Sequence, residues 1–349
     1  MAYTNIDDPS AHFQAFLYTG NGANRTITLP GNSDLKFDMY WYKQRSNTGH
    51  HRMFDTSRGL SVELYPDLTA ADSSATYFNN QQANSFDIIA NDSATNTGSV
   101  TFANWQWKAN GGTTASNTSG TITSTVQANQ DAGFSIVTYT GTGANATVGH
   151  GLGVAPSAII IKSRSNALPW VVWTAGMAGT TSVMELNTTG AEQTVSNYWY
   201  NGFSSTTFGL GSGTYSHNTN NATYVAYCFA EKQGYSKFGN YIGNGNADGP
   251  FAYTGFKPAF VIMKESSSAG GNWVMFDSAR DPHNVTKHRL FPNLTNADNT
   301  TRNYIDLLSN GFKLRDTDAD HNQSGQTMIY MAFAENPFVT STGVPTTAR

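Results

Sequence analysis

Apolar and polar positions alternate in short runs along this chain, and no segment carries the i, i+3, i+4 stripe of an amphipathic helix. Trp105 and Trp107, Tyr227 and Phe229, and Met331 and Phe333 form pairs on one strand face. The intervening Gln106, Cys228 and Ala332 fall on the other. The continuous runs Ile159–Ile161 and Val261–Met263 predict central strands covered on both sides. Asn201-Gly202 and Asn310-Gly311 supply the positive-φ residues of tight turns, with Asn84-Ser85 a weaker equivalent. Short helical turns are expected around 67–73 and 294–299, where Thr69 and Thr295 could cap.

The strand pattern is written three times. Tyr18-Thr19-Gly20-Asn21-Gly22, Tyr139-Thr140-Gly141-Thr142-Gly143 and Tyr241-Ile242-Gly243-Asn244-Gly245 each precede an apolar run closing on a lysine: Lys43, Lys162 and Lys264. Arg52-Met53-Phe54-Asp55, Val171-Val172-Trp173-Thr174 and Val274-Met275-Phe276-Asp277 follow. The aromatic closing strands end each copy. All these landmarks recur in one order at offsets of roughly 120 and then roughly 100 residues, the mark of an internal repeat. The longer first offset comes from a Gly/Ser/Thr/Asn-rich bridge over 111–132, within which Thr121–Val126 alternates and could be a strand docked on a neighbour. The expected organisation is an arm over 1–12, repeats over 13–110, 133–232 and 233–338, and a tail over 339–349. With almost no spacer between them, the second and third repeats should pack as a rigid pair. Six to eight short strands per repeat suit an antiparallel β-sandwich of jelly-roll or lectin-like type. The expected fold is therefore all-β: three tandem sandwiches with a short N-terminal arm.

Composition narrows the class. Charged residues make up 13% of the 349, against an ordinary quarter, and aromatics another 13%. Disorder driven by charge is excluded, since the net charge is only −4. Lys and Arg total 20 against 24 acids without a basic run, which argues against a nucleic-acid reader. No apolar stretch is long enough to span a membrane. The leader Met1–Asp8 has neither the basic nor the apolar region of a signal peptide, so synthesis in a cytoplasm without export is expected. A single cysteine, Cys228, removes disulfide scaffolding and thiolate zinc sites.

Several phrases carry a resemblance. Gly133-Phe134-Ser135-Ile136-Val137-Thr138-Tyr139-Thr140-Gly141 with Val148-Gly149-His150-Gly151-Leu152-Gly153-Val154-Ala155-Pro156 is one. Tyr224–Lys232, Gly243–Phe251 and Ile329–Glu335 are others. Together they resemble a family of tandem-repeat virion proteins encoded by marine bacteriophages. The resemblance runs over nearly the whole chain after the first dozen residues. It implies a virion structural protein, a tail-fibre or particle-surface component, and carries over no catalytic residue. The first repeat departs most from the pattern, lacking the proline before the lysine strand and the Asn-Gly turn.

Candidate chemistry is sparse. Asp55 with Arg58 and Asp277 with Arg280 recur at the same place and read as structural pairs fixing a corner, because a carboxylate paired with arginine makes a poor general acid. The middle repeat has Thr174 and Gly176 there instead. Asp316, Asp318 and Asp320 alternate as calcium ligands do, but His321 and Thr327 stand where a calcium loop needs glycine and glutamate, which leaves a weak calcium candidate in a solvated loop. His50, His51, His217, His283, His288 and His321 show no ligand spacing and are expected to be exposed loop residues. Cys228 is expected to be a buried small apolar residue.

Trp170, Tyr198, Trp199, Tyr200 and Tyr215 could stack on sugar rings beside amide and hydroxyl groups, or pack between repeats or subunits. Tyr3, Ile6, Pro9 and Phe13 are apolar points on a polar leader, suited to attaching the chain to other virion proteins. The functional expectation is a non-enzymatic bacteriophage virion protein on the particle exterior, a tail-fibre or spike component adhering to host-surface glycans. A capsid-decoration or head-fibre protein is the alternative. A polysaccharide depolymerase is disfavoured because the acids are scattered and no facing pair is evident. No cofactor is expected, and a homotrimer is expected by analogy with fibres.

Overall fold

The computed structural model describes residues 2–89, 95–213 and 216–346. It is all-β and antiparallel, as the alternation predicts, with two short helical turns at Pro9–Ala11 and Ala319–Asn322 among the described residues. The segments around Thr69 and Thr295 are non-helical turns.

Three four-stranded arrays share one strand order. In the first, the opening strand Phe13–Thr19 pairs with the closing strand Thr101–Trp107. That strand pairs with the lysine strand Met39–Gln44, which pairs with the corner strand Arg52–Asp55. The middle array repeats the order with Phe134–Thr140, Thr223–Phe229, Ala158–Ser163 and Val171–Thr174. The last does so with Ser236–Ile242, Thr327–Pro337, Phe256–Glu265 and Val274–Asp277. Each array, with the chain around it, is called a unit below. The middle array is extended at its opening edge by Ser124–Asn129 and Ala115–Asn117, so the bridge after the first unit forms a docked hairpin.

A smaller sheet covers the outer face of each array. In the first unit, Arg25–Thr28, Ser85–Ile88 and Phe78–Asn79 place Ile27, Phe86 and Phe78 against Phe16, Tyr40 and Tyr42. Phe208 meets Tyr139 in the middle unit, and Phe312 meets Tyr241 and Tyr330 in the last. These are sandwich contacts, and they explain why both faces of the array strands are buried. Residues such as Tyr227 and Phe229 turn to the other side, which is covered too, so that all six residues of Ala158–Ser163 are buried.

That other side is a common centre. Trp107, Phe229 and Phe333, the last aromatics of the three closing strands, pack on one another with ring centroids 5.4–6.4 Å apart. Beside them Trp41, Ile160 and Ile262 from the three lysine strands line a residual space of about 20 Å³. Aromatic burial of this size is the largest single source of cohesion available to a chain without disulfides. The units therefore do not project as a linear array. They close on one another, and the first and last, farthest apart in sequence, touch as directly as their neighbours do.

Candidate functional site

The recurring acids sit where the units meet. Asp55 accepts the Arg58 backbone N–H at 2.8 Å and the Arg58 Nε–H at 2.5 Å, with both side chains fully buried. The Tyr227 hydroxyl of the middle unit donates to the same carboxylate at 2.7 Å. In the last unit Asp277 holds Arg280 at 2.8 and 2.6 Å and receives the Trp105 indole N–H of the first unit at 3.0 Å. Tyr227 and Trp105 occupy equivalent places on their closing strands, and the last unit has Met331 there. Methionine has no proton to donate. Its partner corner, in the middle unit, has Thr174 for the acid and Met177 for the arginine. Donor, carboxylate and arginine are thus present together or absent together. That pattern suits a staple whose parts depend on each other, since a lone buried carboxylate would be costly.

A second acid extends each staple. Asp72 bridges Arg58 at 3.0 Å and Arg164 of the middle unit at 2.7 Å. Asp298 bridges Arg280 at 2.8 Å and Arg45 of the first unit at 2.6 Å. At the third junction the Glu192 N–H bonds the Ser266 carbonyl at 2.8 Å without an arginine. Gly176 lies so close to the Gly239 carbonyl that a Cβ there would collide with it, while Asn240 donates to the Gly176 carbonyl at 2.8 Å. The contacts run in one direction: first corner to middle, middle corner to last, last corner to first.

The lysines that mark each copy are buried at these junctions. Lys162 Nζ donates to the Ser163 carbonyl at 2.8 Å and, across the junction, to the Thr69 carbonyl at 3.1 Å. Lys43 and Lys264 donate to the carbonyls of Gln44 and Glu265 at 2.6 and 2.7 Å. Burial disfavours each ammonium and lowers all three lysines to about 8.

The glycine-rich openings are latches. The tyrosine of each donates to a carbonyl before the closing strand: Tyr139 to His217 at 2.8 Å and Tyr241 to His321 at 2.6 Å. Asn218 and Asn322 then accept the N–H of Thr142 and Asn244, both at 2.9 Å. A Cβ on Gly141 would lie 2.5 Å from the Thr219 carbonyl oxygen, and Gly143 has φ +70°. The two glycines answer different demands, close approach and left-handed backbone.

Burial corrects several expectations. His51, His217 and His321 are 0% exposed, not loop residues in solvent. His217 stacks on Tyr198 and shares a hydrogen bond with the Tyr198 carbonyl, and burial lowers it to about 3. His51 accepts the Trp41 indole N–H, and burial holds its pKa well below the ordinary range. His321 faces Asp316 at 2.8 Å. His50 is exposed beside Asp67, His288 is half-buried beside Asp281, and His283 is exposed.

Asp316, Asp318 and Asp320 do not lie in a solvated loop. Asp318 caps the turn Ala319–Asn322 and meets Arg289 at 2.9 Å, and Asp320 accepts the Asn272 N–H at 2.7 Å. Arg289 meets both Asp318 and Asp320 while Asp316 faces His321, and no group of three or more His, Cys, Asp or Glu residues suited to a metal occurs among the described residues.

The aromatic candidates divide similarly. Trp170 is fully buried and donates to the Tyr65 carbonyl of the first unit at 2.8 Å, so it packs between units and has no face for a sugar. Trp199 donates to the Ser182 carbonyl and is buried, and Tyr198 is buried with one face stacked on His217. Tyr200 is half-buried, and Tyr215 lies outside the described residues. Cys228 is buried, and burial pushes its thiol well up.

The arm is also corrected. Ile6, Pro9 and Phe13 are buried in the chain's own body, Phe13 against Trp107 and Phe333. The Tyr3 hydroxyl donates to the Gly255 carbonyl at 2.7 Å, and Asp7 bonds Ser341 of the tail. These apolar points are occupied at home.

Sequence reasoning missed Asp38, Asp72 and Asp298. Asp38 is buried and accepts N–H groups of Ala109 and Gly111 at 2.7 and 2.8 Å, fixing the exit into the docked hairpin. Its signal was an acid abutting the apolar run Met39–Lys43. Asp72 and Asp298 had only their position in otherwise irregular turns.

A closed body of antiparallel sandwiches whose buried polar groups serve the junctions is the class that the geometry defines. Residues 8–337 match the model of a family described as a domain of unknown function (DUF7483), and the chain belongs to that family. The match begins at the cap of the first helical turn and ends with the last closing strand, so it spans all three units. No curated protein matches the chain. Among the described residues no helix is long and apolar enough to cross a membrane.

Proposed function

We propose that the chain is three copies of one jelly-roll-type sandwich module folded into a single structural body, and that it serves as a non-enzymatic component of a bacteriophage virion surface. The reading rests on one observation above others: donor, acid and arginine are kept or lost together at each junction. Acids held for assembly behave this way, whereas an acid held for catalysis has no reason to follow the residue at 227, 105 or 331. The phage assignment rests on the resemblance of the repeated phrases.

Within the virion class, burial of Trp170, Tyr198 and Trp199 favours capsid decoration over a glycan-reading tail fibre, since the rings best suited to sugar stacking are engaged inside. The chain brings three similar units together by itself, which gives a threefold-like body without the homotrimer that the analogy with fibres suggests.

Two assays test the reading together. Incubation with host-surface polysaccharide should release no reducing ends, and a glycan array should show no saturable binding. Released ends would replace this reading with a depolymerase. Saturable binding that survives on Tyr200→Ala but not on other surface variants would restore the adhesin elsewhere on the body.

A further inference from the structure

The three opening strands have equivalent outer edges, and among the described residues only the middle one carries a further strand. The edge of Phe134–Thr140 is occupied by Ser124–Asn129, running antiparallel with Gln127 opposite Ile136 and Asn129 opposite Phe134. Gln127 then reaches the first unit's corner, donating to Thr56 and Ser57 at 2.9 and 3.0 Å. The edge of Ser236–Ile242 is met by the middle corner, where Gly176 abuts Gly239 and the Asn240 side chain donates to the Gly176 carbonyl, while Ile242 beyond it is exposed.

The edge of Phe13–Thr19 carries no strand either among the described residues, and it alone of these two has a cavity beside its first residues. Its pairing with the closing strand is framed by His12 with Lys108 and Gly20 with Val100, so Phe13, Ala15 and Leu17 turn their N–H and C=O groups outward. None of these groups has a hydrogen-bond partner among the described residues; Phe13 is buried, and the open part of the edge is Ala15, half-buried, and Leu17, 37% exposed. Beside Phe13 and Ala15 lies an open cavity of about 160 Å³, walled by Pro30, Ala259 and Ser278. It is the counterpart of the place that 127–129 fill in the middle unit.

We propose that this edge receives an extended β-strand from another polypeptide, antiparallel to Phe13–Thr19. Unpaired strand edges take up strands in this way, with main-chain bonds supplying affinity and side-chain pockets supplying selectivity. The chain's own occupant shows the chemistry that fits: Ser-Thr-Val-Gln-Ala-Asn, uncharged, small and amide-bearing. The open groove matches it in charge, because its one carboxylate, Glu335, is already paired with Lys257 at 2.8 Å. Ser278 stands where Thr56 stands in the filled groove, in reach of an amide at the position of Gln127.

The test uses the full chain and a synthetic peptide of residues 122–130 as the probe, read by amide hydrogen exchange. Saturating peptide should slow exchange at Ala15 and Leu17 by about tenfold or more and leave Gln14 and Phe16, already bonded to the closing strand, unchanged. Ala15→Pro removes one outward N–H at an edge position that tolerates proline and should abolish the protection. Leu17→Lys, a charge on the edge, should weaken it and serves should the proline variant fail to fold. Absence of protection at millimolar peptide would overturn the proposal, as would protection indifferent to Leu17→Lys. Concentration-dependent protection of the same residues without peptide would overturn it in favour of pairing between copies of this chain.

Discussion

Replacing Asp277 by alanine strikes the junction between the last and first units at its most buried point. The carboxylate is 1% exposed and accepts three hydrogen bonds, from the Arg280 N–H, the Arg280 Nε–H and the Trp105 indole. Removing one partner of a buried ion pair costs about 3–5 kcal/mol, because the other charge is left without its counterpart. Arg280 retains Asp298 at 2.8 Å and the Met275 carbonyl at 2.9 Å, which places the loss at the low end, about 3 kcal/mol. The stranded Trp105 N–H adds about 1 kcal/mol. The expected loss, about 4 kcal/mol, is a large share of the ~5–15 kcal/mol that holds most domains folded. Urea unfolding at pH 7 followed by tryptophan fluorescence measures it. Asp277→Asn, which keeps an acceptor but not the charge, should lose about half as much. Alanine at 277 within 0.5 kcal/mol of the parent would refute the staple and with it the reason for reading the acids as structural.

Three further perturbations follow from the same contacts. Tyr227→Phe removes only the hydroxyl that donates to Asp55 and should cost about 1.5–3 kcal/mol by the same unfolding assay; a neutral outcome would mean that this junction does not depend on that bond. Stability should rise with pH between about 8 and 10. The folded lysines at about 8 lose protons there while the unfolded chain, near 10.5, still holds them, adding up to about 1.4 kcal/mol per pH unit for each lysine. Below pH 8 both states are protonated and the cost of burying the ammonium is constant; above 10 the buried tyrosines, raised by burial, reverse the trend. Lys162→Met should flatten the slope by a third, and a monotonic fall above pH 8 would contradict the lysine burial. Deleting residues 2–8 should cost about 1.5–3 kcal/mol through exposure of what Ile6 covers, measured by melting; an unchanged melting curve would show that the arm is not seated on the body.

The strands and their succession along the chain were legible because each needs only local alternation and a turn. The doubly buried runs Ile159–Ile161 and Val261–Met263, the outward and inward faces of Tyr227-Cys228-Phe229, and the Asp–Arg corners could all be read from spacing. Thr121–Val126 was marked as a docking strand, and the strand Ser124–Asn129 overlaps it.

Closure was not legible, because it depends on contacts between residues more than a hundred positions apart. The Tyr227 hydroxyl on Asp55 and the Trp105 indole on Asp277 are each separated by 172 residues. The same cause explains the misplaced histidines, and why the sequence left Trp170 open between stacking on a sugar and packing between repeats. His217 and Trp170 stand in polar, turn-rich sequence, and only the neighbouring strands or unit, brought in from elsewhere, cover them. The leader misled in a similar way: its apolar points do bind a protein surface, but that surface belongs to its own chain.

A density map of the intact particle, with this chain located by a fused tag, tests the central claim most directly. The expected result is a closed body of three sandwiches at a fixed position on the exterior, with its centre filled and the corners of neighbouring units in contact. Three separated beads along a fibre would contradict the closure, and particles that assemble and infect without the chain would contradict the structural role.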